Sequence, residues 1–255
     1  MARLQTLVMT QGNKSYTIKT ILCGAQKAGT TSLSYYLRQH PELDVPNKEL
    51  HFFDNEKIDW ENPNYKDYEN KFKGENKIRI DHTPIYMFWD PCCARIHRYN
   101  PNMKIIAVLR NPSERAYSQW AMEHNRGKET LPFQSALERE ISSHKFINNK
   151  QHRVHSYIDR GMYCKQVKRL WHYFGKENVY IARHEDLREK TYDTVQNICR
   201  HIGVTTSHKF DSTKQRIGQY RTAIADEELA HLKDLFRNEI EELEKLLDWD
   251  CSDWK

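Results

Sequence analysis

The segment Lys104–Leu109 (KIIAVL) is an almost unbroken apolar run that ends on a cation, Arg110, followed by Asn111-Pro112-Ser113. A run without polar alternation fits a strand buried on both faces, as in a parallel sheet covered by helices on each side. Pro112 stands where a helix would open, because first-turn N–H groups have no intrahelical partner to lose. Residues 18–23 have the same strand character and lead into a glycine-bearing loop and a helix over about 31–40, which Pro41 ends. Strands are expected again at 78–81 and 179–182. Apolar spacing predicts helices at 111–125, 162–174, 191–202 and 226–247, with Gly175 and Gly203 closing the second and third. Strand and helix alternate throughout. The expected fold is therefore a single α/β domain over residues 1–255, P-loop-like, with a mostly parallel central sheet flanked by helices. Residues 144–160 are basic, histidine-rich and aperiodic and read as a mobile surface loop.

Forty basic against 35 acidic side chains leave a formal net charge of +5. That mixed surface suits one local anion site and no nucleic-acid partner. The cysteines Cys23, Cys92, Cys93, Cys164, Cys199 and Cys251 are scattered without a CxxC pair, which points to a reducing compartment. Residues 1–16 hold only a short, broken apolar stretch (Leu4, Leu7, Val8, Met9), too short for a signal core or a membrane span. A cytoplasmic location without a membrane partner is expected.

Between the first strand and helix stands Gly24-Ala-Gln-Lys27-Ala-Gly29-Thr30-Thr31. Gly-x4-Gly is the spacing of a phosphate loop, in which backbone N–H groups and a helix N-terminus cradle an anion. Taken alone it is more often an ordinary tight turn. The lysine that follows the second glycine in nucleotide triphosphatases is missing, replaced by Thr30, while Lys27 sits inside the loop. Where a magnesium-dependent phosphotransferase places an aspartate at a strand end, this chain has Arg110, which forks onto phosphate and binds no metal. Ser118, eight residues on, could donate a second hydrogen bond to the same group. Two separated anion sites without a metal ligand describe a ligand with two phosphate-like ends.

The motifs KAGTT (from Lys27), KELHFFD (from Lys48), HTPIY (from His82) and LRNPSERAYSQW (from Leu109) come in an order and spacing that resemble the sulfotransferases dependent on 3'-phosphoadenosine-5'-phosphosulfate (PAPS). The likeness is to the heparan sulfate amino- and 3-O-sulfotransferase type and its bacterial small-molecule relatives. RGMY (from Arg160), VYIARHEDL (from Val179) and LLDWDCSDW (from Leu246) fit the same layout, so the resemblance covers nearly the whole chain.

The resemblance implies that Lys27, Ala28, Gly29, Thr30 and Thr31 bind the 5'-phosphosulfate, and that Arg110 and Ser118 bind the 3'-phosphate. Lys214 and Arg216 correspond to a late loop over the nucleotide. Lys27 would stabilise charge on the leaving oxygen. Glu49 would be the general base, since an ordinary carboxylate is ionised at neutral pH. His51 and His82 are rival bases: His51 would share Glu49's face if the segment is extended, and His82 replaces a lysine of the heparan-type members. That replacement disfavours a polyanionic glycan and favours a small hydroxylated acceptor such as an alkaloid, with a glycan or lipid next. Phe53, His82, Tyr86 and Tyr163 are expected to line the acceptor cleft. No metal is required; His144, His152 and His155 lack companion ligands at metal spacing. A homodimer is an open option.

Two other classes compete. A P-loop kinase would need a lysine at position 30 and an acid near 110, and the chain has neither. A non-catalytic nucleotide-binding module could keep Arg110 and Ser118 but would not need Lys27 and Glu49.

Overall fold

The computed structural model describes residues 18–146, 151–212 and 224–255. Among them the chain runs β1 (Ile18–Gly24), α1 (Thr30–Arg38), β2 (Leu43–Asp44), α2 (Tyr65–Glu69), β3 (Ile78–His82), α3 (Pro91–Tyr99), β4 (Lys104–Leu109), α4 (Pro112–Asn125), α5 (Phe133–Phe146), α6 (Tyr163–Phe174), β5 (Val179–Arg183), α7 (His184–Glu189), α8 (Thr191–Ile202) and α9 (Asp226–Leu247). The five strands form one sheet in the order β2-β3-β1-β4-β5, and every pair is parallel. Ile105, Ile106, Ala107, Val108 and Leu109 are fully buried, which is why β4 carries no polar alternation.

The chain leaves β1 towards β2 and β3 on one side, then returns past β1 to β4 and β5 on the other. Right-handed crossovers running in opposite directions put their helices on opposite faces. Accordingly α1 packs with α8, while α3 packs with α6 and α6 with α9. The carboxyl ends of β1 and β4 therefore flank the crevice where open α/β sheets bind ligands. Buried apolar residues from Ile18 to Trp254 form one core cluster.

The segment before α6 is not the surface loop expected. Ser156, Tyr157, Asp159 and Arg160 are buried. The carboxylate of Glu140, itself buried, accepts the backbone N–H groups of Tyr157, Ile158 and Asp159 at 2.6–3.0 Å. One internal carboxylate thus replaces a secondary-structure ladder, a device that leaves no periodic trace in sequence. All six cysteines are free and buried. Among the described residues, no helix is long and apolar enough to cross a membrane.

Candidate active site

The loop after β1 is tied down before it reaches α1. The Ala25 N–H bonds to the Val108 carbonyl of β4 at 2.8 Å, and the Ala28 N–H to the Ala25 carbonyl at 3.1 Å. Lys27 and Gly29 both have positive φ, 71° and 95°. At Gly29 a side chain is excluded twice, by that backbone angle and because a Cβ would lie 3.0 Å from His184 Nδ1. The α1 N-terminus that follows holds no acidic residue in its first turn, so its N–H groups face no carboxylate of their own helix.

At the end of β4, Arg110 is positioned by its backbone and its neighbours. Its carbonyl accepts the Tyr163 hydroxyl at 2.9 Å. Asn111 caps α4 by accepting the Ser113 N–H at 3.0 Å. The Arg110 guanidinium donates to Glu114 Oε2 from Nε (3.0 Å) and Nη2 (2.7 Å), and Nη1 reaches the Lys27 carbonyl at 3.4 Å. The Arg110 guanidinium is therefore tied to the backbone of the loop after β1. Lys27 Nζ lies 3.6 Å from Met122 Sδ on α4. Ser118 is buried two turns into that helix. His184, where β5 gives way to α7, bonds through Nδ1 to the Ala28 carbonyl at 3.1 Å. Burial and the nearby Arg110 charge lower its pKa.

The opposite rim follows β3. Asp81 is fully buried and accepts three hydroxyls, from Thr83 (2.6 Å), Tyr68 (3.0 Å) and Tyr86 (3.0 Å). Burial raises its pKa to about 6 against the lowering effect of those bonds. The Thr83 hydroxyl in turn accepts the Leu50 N–H at 3.1 Å, and the Tyr86 hydroxyl accepts the Phe52 N–H at 2.9 Å. The segment that carries Glu49 thus hangs by its backbone from two hydroxyls anchored on one carboxylate.

Within that segment His51 has φ 50°, so the chain turns and is not extended as expected. The turn lets His51 bridge two acids: Nε2 to Glu49 Oε2 at 3.1 Å and Nδ1 to the Asp54 carboxylate at 3.1–3.2 Å. The bonds to Asp54 and then Glu49 raise its pKa to about 10. At neutral pH it is an imidazolium without a free lone pair, which removes it as a base there and makes it a brace for Glu49. Burial pushes the Asp54 pKa up, but His51 and Arg153 outweigh it and bring it down. Arg153 bonds both the carboxylate and the carbonyl of Asp54, and its guanidinium lies 4.5 Å over the Trp89 ring. The Arg153 carbonyl accepts from Arg160 Nη2 at 2.8 Å, and Arg160 Nη1 bonds the Gln26 side chain of the phosphate loop. Burial, then Arg115 beside it, draws the Arg160 pKa down to about 9, which leaves it cationic at neutral pH.

His82, at the end of β3, is 5% exposed, and its Nδ1 has no hydrogen-bond partner among the described residues. Burial, with Arg38 adding to it, lowers its pKa to about 4. It is therefore neutral at neutral pH. Phe53, Tyr86 and Tyr163 are fully buried, so they support the cleft and do not line it; the hydroxyls of Tyr86 and Tyr163 are spent on Asp81 and Arg110. Thr30 is buried and Thr31 exposed, at the start of α1. Lys214 and Arg216 lie outside the described residues. Sequence reading had assigned no role to Asp54, Asp81, Arg153, His184 or Glu114. Only Asp81, a lone acid ending an apolar strand, carried a visible signal.

Residues 17–241 match the family model described as a sulfotransferase domain. The chain belongs to the sulfotransferase family. It is 26% identical over 214 residues to heparan sulfate glucosamine 3-O-sulfotransferase 5 of Mus musculus, covering 79% of this chain and 55% of that protein. The chain thus spans about half the length of the curated relatives it matches. The crystal structure of a sulfotransferase from Alicyclobacillus acidocaldarius superposes with a TM-score of 0.80 at 26% identity, covering 93% of this chain and 98% of that one. Mouse sulfotransferase SULT7A1 complexed with PAP shares the fold, with a TM-score of 0.56 at 15% identity over 88% of this chain and 84% of that one.

Proposed function

We propose that this chain transfers a sulfuryl group from PAPS to a hydroxyl, in preference to an amine, of a small-molecule acceptor. The observation that carries this reading is the pair of cations flanking one crevice: Lys27 in the β1 loop and Arg110 at the β4 end, whose Nη1 reaches the Lys27 backbone carbonyl at 3.4 Å. That pairing suits a donor with phosphate at both its 5' and 3' positions.

In an in-line displacement the acceptor oxygen bonds to sulfur as the bond from sulfur to the bridging oxygen breaks. Lys27 and the α1 N-terminus offset the charge that develops on that oxygen. Glu49 takes the acceptor proton. His51 holds Glu49 Oε2, which leaves Oε1 for the acceptor and fixes the carboxylate for attack from one side. His82 stays neutral beside the site, its buried Nδ1 without a hydrogen-bond partner among the described residues. A neutral imidazole in place of a lysine supports an acceptor that is not a polyanionic glycan.

Thermal unfolding with PAP, the desulfated donor, and separately with ADP or ATP-Mg tests the reading. A ligand at about a hundred times its dissociation constant adds about 2.7 kcal/mol. Each kcal/mol moves Tm by about 2–4 °C at this chain length. The expected result is a metal-independent shift with PAP that Arg110→Ala loses. A shift with ATP-Mg alone would sink the assignment of Arg110 and Lys27.

A further inference from the structure

Arg110 presents a closed edge in this structure. Its Nε and Nη2, the edge that offers a phosphate two parallel N–H bonds, both donate to Glu114 Oε2. Nη1 faces the Lys27 carbonyl. A 3'-phosphate cannot take that edge while the carboxylate holds it.

Glu114 is built to let go. Its side chain is 52% exposed against 17% for Arg110, so it can turn into solvent without losing buried contacts. It stands in the first turn of α4, where the helix N-terminus stabilises a carboxylate whether or not Arg110 is bound to it. Arg110, by contrast, has its backbone fixed by the Tyr163 hydroxyl, and His184 beside it is a half-buried imidazole whose pKa is lowered by burial and then by the Arg110 charge.

We infer that Glu114 is a displaceable stand-in for the 3'-phosphate. It keeps Arg110 extended and neutralised in the free protein, yields the Nε–Nη2 edge to the donor, and reclaims it as the desulfated nucleotide leaves. The inference rests on the PAPS reading above and adds to it a residue that sets nucleotide affinity and release.

The test is calorimetric titration of PAP and of ADP into the wild-type chain and Glu114→Gln, with stopped-flow measurement of PAP dissociation. Removing an exposed competitor and a like charge tightens PAP by about three- to ten-fold. Dissociation slows by a similar factor, ADP is unaffected, and the gain shrinks with added salt. In an Arg110→Gln background the same substitution yields no gain, which ties the effect to the pair. Glu114→Ser serves as a second variant, and unliganded melting of each shows that the fold is kept. If wild type prefers PAP but the Gln and Ser variants bind it equally or more weakly, the stand-in is overturned and the donor reading survives. An equal gain for ADP overturns it too, since the effect would then not involve the 3'-phosphate. A wild-type chain with no preference for PAP over ADP overturns both.

Discussion

On the donor rim the Arg110 guanidinium donates to a half-exposed carboxylate, whereas on the base rim His51 and Arg153 meet the buried Asp54, and Thr83 and Tyr86 meet the buried Asp81. The contrast follows from what each rim meets. A nucleotide brings its own charges and completes the cations that bind it, so exchangeable partners suffice. A general base must keep its carboxylate aimed before any acceptor arrives, and contacts anchored on a buried acid do that.

The largest effect expected from this contrast is on the base itself. Glu49→Gln lowers turnover by about 10²–10⁴-fold while PAP affinity stays within error; a variant that retains full turnover on the identified acceptor would erase the distinction between the rims. Next comes the brace behind it. Arg153→Ala frees Asp54 and, through His51, lets Glu49 drift, a misplacement that costs up to about 10²-fold in kcat. Arg153→Lys recovers part of the loss, and calorimetry with PAP shows no change. If KM for the donor moves instead of kcat, Arg153 serves the phosphate loop through Arg160 and not the base.

Asp81→Ala sharpens the comparison in stability. It orphans three buried hydroxyls, each at a cost of about 1–3 kcal/mol. Tm falls by about 2–4 °C for each kcal/mol, whereas Glu114→Ala on the other rim leaves Tm nearly unmoved.

The smallest effects are on pH dependence, and the two histidines have opposite signs. His82 is neutral in the folded state down to about pH 4 but protonates in the unfolded chain near 6.5. The unfolded state then binds more protons, and stability rises with pH across that window. His51 holds its proton to about pH 10 when folded, so its contribution is complete below about 6.5 and is lost as pH rises towards 10. His82→Asn flattens the acid limb of a stability-versus-pH curve and His51→Gln the alkaline one. The second change is the weaker, because the His51 side chain is about half exposed and solvent screens it.

Sequence alone carried β4, α8 and α9 to the residue, because uninterrupted burial and helical periodicity each leave a pattern in the chain. It missed α3, a short helix whose buried face holds only one aliphatic side chain, Ile96, among Cys92, Cys93 and Tyr99. It also missed α2, α5 and α7. The residues of the proposed donor rim could be picked out because backbone cradles demand glycine and an anion demands a fixed cation. Of the proposed base rim only Glu49 and the two histidines were picked out. Asp54 meets Arg153 across 99 residues of chain, and no spacing rule joins positions that far apart. The 151–160 segment misled for the same reason: Glu140 organises it from another element.

The attachment of the Glu49 segment has a consequence for which of its positions can vary. Thr83 and Tyr86 grip main-chain N–H groups and not side chains. The hooks therefore read the path of the segment and are indifferent to most of its letters. Lys48, which projects from it exposed, can be exchanged without loosening Glu49. The path of the segment is thus set by a mount that lies outside it, and its exposed positions can vary while that path is kept.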